Sequence, residues 1–336
     1  MILGKTLYAV DSHTAGMPTR IIVGGIPHLP GSDIEEKAEY FKNHFDYLRT
    51  AIFHEPRGLL RGVGAVITPP AHDKAHLGVF FMDCTYQLIH MCGHGSIGVI
   101  TAALEFGLVE AVEPATTVVL DTPAGLVTGY AKVQGGKVES VSIHNVPSFL
   151  YSTAVIHVPG LGSIPADIAF GGEFFVLVDA DNVDVPLDVS KAADLSVLAM
   201  AIRDAANAQL KVKHPLKPVS VIDAVRISKQ PANHGFPIKN VTIFAKGNQG
   251  IDRSPCGTGT SAQLAALYAG GKVNVNQVSI HESIIGTTFK GRIVSQTRAG
   301  EFDAIIPEIT GSAYTMSINT IILDPNDPLK HGFMIE

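Results

Sequence analysis

Charge is scarce in this chain: Asp, Glu, Lys and Arg make up only 17% of its 336 residues, the formal net charge is −6, and there is no basic run. A mildly acidic protein without a basic stripe is poorly suited to nucleic acid or an anionic membrane surface, so neither is expected as a partner. Long apolar runs are also lacking, which excludes a membrane-spanning helix. No Lys/Arg-rich start leads into an apolar stretch. The N-terminal MILGKTLYAVDSHTAG turns strand-like almost at once, so a signal peptide is not expected and the protein reads as cytoplasmic. Cysteine is nearly absent: Cys84, Cys92 and Cys256 are the whole set. An odd, sparse count without a secretion signal argues for reduced thiols, not a disulfide framework. Low-complexity segments and long linkers are missing, and 46% hydrophobic residues supply an ample core, which argues against disorder.

Short β-branched runs recur between glycine and proline punctuation: Arg20–Gly24, Gly64–Ile67, Val118–Asp121, Val138–Ile143, Phe174–Val178 and Asn240–Phe244. These predict strands. Helices are fewer. Residues 32–50 open on Ser-Asp and align Phe41, Phe45 and Leu48 on one face, residues 195–209 are rich in alanine and leucine, and two more helices follow the cysteine motifs. The Pro/His-rich residues 213–235 read as a surface loop with an embedded strand. The balance is α+β with strands dominating.

A weak internal duplication stands out. CGHGSIGVITAALEFG from Cys92 and CGTGTSAQLAALYAGG from Cys256 share the cysteine, two glycines, a hydroxyl residue, an alanine and the closing glycine, Gly107 with Gly271. Each reads as a Cys-Gly-x-Gly turn opening a helix that ends on a C-cap glycine. A helix N-terminus offers unpaired N–H groups and the positive end of the dipole, which suits a substrate carboxylate and lowers a thiol pKa. Two such turns supply an acid and a base for one carbon, which is what inversion at Cα requires. Cys84, in the strand-like VFFMDCTYQ, reads as a small buried hydrophobe. His94, between two glycines, suits a bound amine or carboxylate. Asp252 suits a substrate ammonium, with a turn aspartate as the alternative. Ser12 and His13 of DSHTAG suit a pocket wall, with a capping turn as the alternative. No second ligand pair accompanies His94 and Cys92, so no metal is expected. The Gly-x-Gly turns fit neither a phosphate loop nor a dinucleotide fold. A Cys–His thiol hydrolase would leave the second cysteine turn unexplained.

MCGHGSIG at Met91–Gly98 and DRSPCGTGTSA at Asp252–Ala262 resemble the two signatures of the proline racemase family, which includes 4-hydroxyproline 2-epimerases and trans-3-hydroxyproline dehydratases. VDSHTAG, YLRTAIFHEPRG, FGGEFF, EITGSAYTM and DPNDPLKHGF extend the resemblance over nearly the whole chain. It implies a diaminopimelate-epimerase-like fold of two pseudo-symmetric α+β lobes, each a strand-rich sheet or barrel around a central helix. Lobe 1, with Cys92, is expected over residues 1–147 plus a C-terminal return at 314–336, and lobe 2, with Cys256, over 148–313. The resemblance further implies that Cys92 and Cys256 are the base and acid, and that the amides of Gly93, His94, Gly257 and Thr258 hold the substrate carboxylate. His94 and Asp252 would contact the ring nitrogen. No cofactor is expected, the partner is a small amino acid, and a homodimer fits the family. Dehydratases of this family typically carry threonine where Cys256 stands, which favours racemisation or epimerisation of proline or hydroxyproline. A 3-hydroxyproline dehydratase and a non-catalytic amino-acid-binding protein are the alternatives. A small Val63 resembles the hydroxyproline epimerases, whereas Phe244 matches the racemases. Leu59–Arg61 and Gln87–His90 depart from the racemase pattern, and His90 and Arg61 are the polar candidates to contact a ring hydroxyl.

Overall fold

The computed structural model describes residues 5–58, 62–84, 88–89, 91–231, 237–244 and 250–334. Arg61, Gln87 and His90 lie outside the described residues. The chain divides into two compact units: residues 1–143 with 312–336, and residues 144–311. Cys92 belongs to the first and Cys256 to the second.

The first unit opens with β1 (Lys5–Thr14), β2 (Met17–Gly24), α1 (Ile34–Phe53), β3 (Val63–Thr68), β4 (Leu77–Asp83) and the two-residue β5 (Leu88–Ile89). It continues with α2 (Gly93–Glu105), β6 (Ala115–Thr122), β7 (Gly125–Gln134) and β8 (Lys137–His144). The second unit holds β9 (Phe149–Val158), β10 (Gly162–Phe170), β11 (Phe174–Asp179), α3 (Ala192–Gln209), β12 (Ile222–Lys229) and β13 (Ile238–Ile243). It ends with α4 (Gly257–Ala269), β14 (Val278–Glu282), β15 (Thr288–Ala299) and β16 (Phe302–Gly311), after which β17 (Ala313–Leu323) returns to the first unit.

One strand order serves both units. In the first, β17, β1 and β2 pair antiparallel, β2 runs parallel to β3 with α1 between, β3 and β4 are antiparallel, and β4 runs parallel to β6 with α2 between. Antiparallel β7 and β8 complete the run. The second repeats this with β9, β10 and β11, then α3, then β12 and β13, then α4, then β14, β15 and β16. The duplication around the cysteines therefore extends to whole units, with β17 filling in the first the place that β9 fills in the second. Each central helix packs against several strands of its own unit. A Cβ on Gly129 of β7 would lie 2.3 Å from Ile100 of α2, and one on Gly291 of β15 would lie 3.0 Å from Leu264 of α4. Both strands thus use glycine where the helix crosses them.

The strand and helix expectations match the observed elements to within a few residues at their ends. The N-cap Asp33 of α1 accepts from Glu36 N–H at 2.8 Å, and the Glu36 carboxylate accepts from Ser32 N–H at 2.7 Å, a reciprocal cap. Phe41 and Leu48 are buried as the pattern requires, but α1 kinks at Phe45, which is only half-buried. Cys84 is not in a strand: β4 ends at Asp83, and Cys84 follows buried in a bend, where its carbonyl accepts from Arg49 and His54.

Candidate active site

Both cysteines stand at the N-cap of a central helix, Cys92 on α2 and Cys256 on α4, and both are buried. Gly107 and Gly271, which close the two motifs, have φ of 71° and 66°, the left-handed region where glycine is favoured. The second glycine of each motif makes room for the sulfur over the helix's first turn. A Cβ on Gly95 would lie 3.0 Å from Cys92 Sγ and 2.7 Å from the Phe81 ring, and one on Gly259 would lie 3.1 Å from Cys256 Sγ. These glycines are thus fixed by packing within the protein as well as by any need for ligand approach.

The two turns differ in detail. Cys92 has extended backbone, φ −131° and ψ 109°, and its sulfur lies 3.5 and 3.7 Å from the two ring nitrogens of buried His94. Thr14 Oγ1 donates to the His94 carbonyl at 2.8 Å, tying the turn to β1. Cys256 instead has φ 61° and ψ 108°, a conformation costly for a residue with a Cβ and characteristic of functional sites. Its sulfur accepts from Gly259 N–H at 3.2 Å and lies 3.6 Å from Thr258 Oγ1. The sequence reading has the helix field lowering each thiol pKa. For Cys256 the structure corrects this: burial pushes the thiol up to about 12 and the Asp252 charge adds to the rise, against the opposing pull of Arg226, Thr258 and Gly259 N–H.

Asp252 is buried four residues before Cys256, and its Oδ1 accepts from both Ser254 N–H and Ser254 Oγ at 2.8 Å. It therefore holds the turn, while its charge faces the sulfur. Arg253 Nη1 donates to the Ile251 carbonyl at 2.9 Å. Phe244 is half-buried beside Phe175, at the edge of an apolar cluster containing Cys256, Ala224 and Ala262. Val63 is buried at the start of β3, between Thr19 and Asp83. Ser12 and His13 face opposite sides of β1 and so cannot share one wall: Ser12 is fully buried toward Gly98 of α2, while His13 stacks on exposed Tyr314. In the same motif Asp11 forms a buried two-point ion pair with Arg20, whose Nη1 also donates to the carbonyls of Ile52 and Arg57.

Three further residues escape sequence reasoning. Glu173 of FGGEFF is half-buried, and its carboxyl is pushed up to about 8 by desolvation and by the charges of Asp223 and Asp252. A Cβ on the adjacent Gly171 would lie 2.2 Å from the Thr258 carbonyl, so this loop lies directly on the start of α4. Asn145 staples it there, donating to the Gly171 carbonyl at 2.9 Å and to Ser261 Oγ at 2.8 Å. Arg226 is fully buried beneath the same turn. The glycine pair and the charge inside FGGEFF were the signal for Glu173. An arginine in the apolar run AVRIS was the signal for Arg226.

The sequence profile of the proline racemase family matches residues 9–334. A proline racemase of Clostridioides difficile is 46% identical over 338 residues, covering all of both chains. A trans-3-hydroxy-L-proline dehydratase of Bacillus thuringiensis subsp. konkukian is 38% identical, again over the whole of both chains. Among solved structures, a hydroxyproline epimerase from Agrobacterium vitis with bound trans-4-hydroxy-L-proline superposes with a TM-score of 0.89 at 32% identity, covering 98% of this chain and 96% of that one. The fold is accordingly the diaminopimelate-epimerase-like one.

Proposed function

The chain belongs to the proline racemase family and is an isomerase of the amino-acid racemase and epimerase kind, and we propose that it inverts Cα of proline or a hydroxyproline with Cys92 and Cys256 as its acid–base pair. The observation that carries this reading is the matched placement of two buried thiols, each at the N-cap of the central helix of its own unit with a glycine clearing the space beneath the sulfur. The two units are taken as the two lobes that the family resemblance implies.

The chemistry follows from the residue types. One cysteine, as thiolate, removes the Cα proton from one face, and the electron pair left on carbon spreads into the carboxylate. The other cysteine, as thiol, gives a proton to the opposite face, so the two residues end with their protonation states exchanged. The first-turn amides of Gly93, His94, Gly257 and Thr258 hold the carboxylate and stabilise its growing charge. Asp252 and His94 meet the ring nitrogen. With the Cys256 thiol pushed up to about 12, Cys256 is the protonated partner at rest, ready to serve as the acid in the direction that uses Cys92 as the base. No cofactor enters this scheme.

With small Val63 and apolar Phe244 as walls for the ring, proline and 4-hydroxyproline are expected to be turned over at similar rates. We further propose a cytoplasmic homodimer. No described helix is long and apolar enough to cross a membrane. On β17, Tyr314, Met316, Ile318 and Ile322 alternate outward and exposed, an apolar strip suited to a self-complementary contact that sedimentation velocity would detect.

The test is Cα–H exchange in D2O with chirality read afterwards. Exchange with inversion supports the two-thiol isomerase. Loss of water from 3-hydroxyproline to a ketimine without inversion would support the lyase instead, the activity named for the Bacillus thuringiensis relative. Binding without exchange would leave only an amino-acid-binding protein.

A further inference from the structure

Arg226 of β12 has no exposed surface, and all its donors are satisfied. Nε donates to Gln263 Oε1 at 2.8 Å, Nη1 to the Pro255 carbonyl at 2.7 Å and to Thr242 Oγ1 at 3.1 Å, and Nη2 to His281 Nδ1 at 3.2 Å and to Thr260 Oγ1 at 3.4 Å. Every one of these acceptors is neutral. Among the described residues no carboxylate bonds to the guanidinium, although a buried cation ordinarily demands one. His281 accepts at Nδ1 and therefore carries its proton on Nε2, 2.9 Å from Ser279 Oγ. Burial and Arg226 together hold this imidazole well below its ordinary pKa, so it adds no charge.

The nearest groups able to balance the cation lie at the cysteine turn. A Cβ on Gly259 would lie 3.1 Å from Cys256 Sγ and 3.2 Å from Arg226 Nη1, so sulfur and guanidinium are no farther apart than those two distances added. Asp252 is the other charge that acts on both. Glu173 stands beyond it, held near neutrality by the same crowding. The carbonyl that Arg226 grips belongs to Pro255, the residue immediately before the left-handed Cys256.

We propose that Arg226 is the positioning residue and fixed counter-charge of Cys256: it clamps the Pro255 carbonyl so that Cys256 holds its strained backbone, and its positive charge, bonded to no carboxylate among the described residues, favours the thiolate each time Cys256 must act as the base. The inference rests on the two-thiol reading. It explains how a sulfur so deeply buried can hold a negative charge during the reverse reaction, and why β12 carries arginine inside an apolar strand.

The test reads the thiolate directly and needs no turnover. Iodoacetamide alkylation of Cys92 and Cys256 is followed by peptide mass spectrometry between pH 7.5 and 9.5, where the rate is proportional to the thiolate fraction. Arg226→Gln should slow Cys256 at least tenfold at every pH and leave Cys92 within twofold. The double variant Arg226→Gln/Gln263→Arg, which moves the charge across an existing hydrogen bond, should restore Cys256 to within threefold. Gln263→Glu gives a second reading with little change of shape. It hands the guanidinium the carboxylate it lacks, and should also slow Cys256 tenfold, which covers the case where Arg226→Gln does not fold. An unchanged Cys256 rate in folded Arg226→Gln or in Gln263→Glu overturns the proposal, as does equal slowing of both cysteines. Absence of Cα exchange in the wild type would defeat the two-thiol reading while leaving this measurement able to decide the role of Arg226.

Discussion

Alanine at the second glycine of each cysteine motif gives the sharpest test of how the sulfurs are held. At Gly259 the added Cβ would meet Cys256 Sγ at 3.1 Å, Arg226 Nη1 at 3.2 Å and Thr242 Oγ1 at 3.3 Å. None of the three is the loose end of a surface chain: Arg226 is clamped by its hydrogen bonds and Thr242 is fully buried. Each must retreat by a few tenths of an ångström, and overpacking of this kind costs about 1–3 kcal/mol. That lowers Tm by a few degrees in a chain of this size. A misplacement of about 1 Å at a reacting group costs roughly 100-fold, so the smaller shift at Cys256 should cost on the order of tenfold in kcat. At Gly95 the conflict is harder, since the Cβ would lie 2.7 Å from the fully buried Phe81 ring and 3.0 Å from Cys92 Sγ. Gly95→Ala should therefore exceed Gly259→Ala in both losses. Gly270→Ala is the control: its Cβ comes no closer than 3.4 Å to the Ala266 carbonyl, and stability should hold or rise slightly. The measurements are thermal melts by circular dichroism and racemisation by polarimetry. Wild-type Tm and rate in both Gly95→Ala and Gly259→Ala would refute the packing argument.

Cys92→Ser and Cys256→Ser should each abolish inversion with the fold intact, because a serine hydroxyl ionises far above neutral pH, whereas Cys84→Ala should keep near wild-type kcat; full racemisation by either serine variant would rule out a two-thiol mechanism. Glu173 holds its proton until about pH 8 when folded but releases it near its ordinary pKa when unfolded, so its ionisation costs stability progressively as pH rises from about 4.5 to 8. Glu173→Gln removes that loss, and its Tm should match wild type near pH 4.5 and exceed it at pH 8, a gap that differential scanning calorimetry across this range would reveal or deny. Val63→Phe should shift the ratio of kcat/KM for proline to that for 4-hydroxyproline toward proline by the ~1–3 kcal/mol that a small pocket contact is worth; an unmoved ratio places Val63 outside the substrate wall.

Local chemistry made much of the fold legible before any coordinates. β-branched runs such as FFVLV became strands, and the Ser32-Asp33 pair announced the start of α1. The Cys-Gly-x-Gly turns located both central helices because capping and C-terminal glycine are properties of a few adjacent residues. What stayed hidden depends on pairing across the fold. The environment of Arg226 is assembled from β12, β13, α4 and β14, four segments that no window of sequence brings together. The opposite facing of Ser12 and His13 depends on strand register, and the break in α1 at Phe45 leaves the hydrophobic periodicity unaltered. The repeat of strand order across whole units was visible only at its most constrained point, the two cysteine turns. Elsewhere any apolar residue of suitable size fills the equivalent position.

The two turns share a plan but not an electrostatic setting, and under the two-thiol reading this difference has a definite consequence. Cys92 sits in relaxed extended backbone beside an imidazole, whereas Cys256 sits in strained left-handed backbone under the opposing charges of Asp252 and the buried Arg226 guanidinium. Cys256 therefore favours its protonated form at rest, and the enantiomer that needs it as the acid meets that thiol ready to react. The other requires Cys256 to give up its proton before or during binding. Proline enantiomers are equal in energy, so the ratio of kcat/KM in the two directions is fixed at unity whatever the enzyme does. The asymmetry can appear only in kcat and KM separately, each rising or falling together between directions. With 4-hydroxyproline the substrate and product are diastereomers, the ratio is released from unity, and the same asymmetry adds to an intrinsic difference. A counter-charge at Cys256 lowers the cost of its ionised form, which is what a catalyst obliged to run both ways requires of the thiol that burial has made harder to ionise.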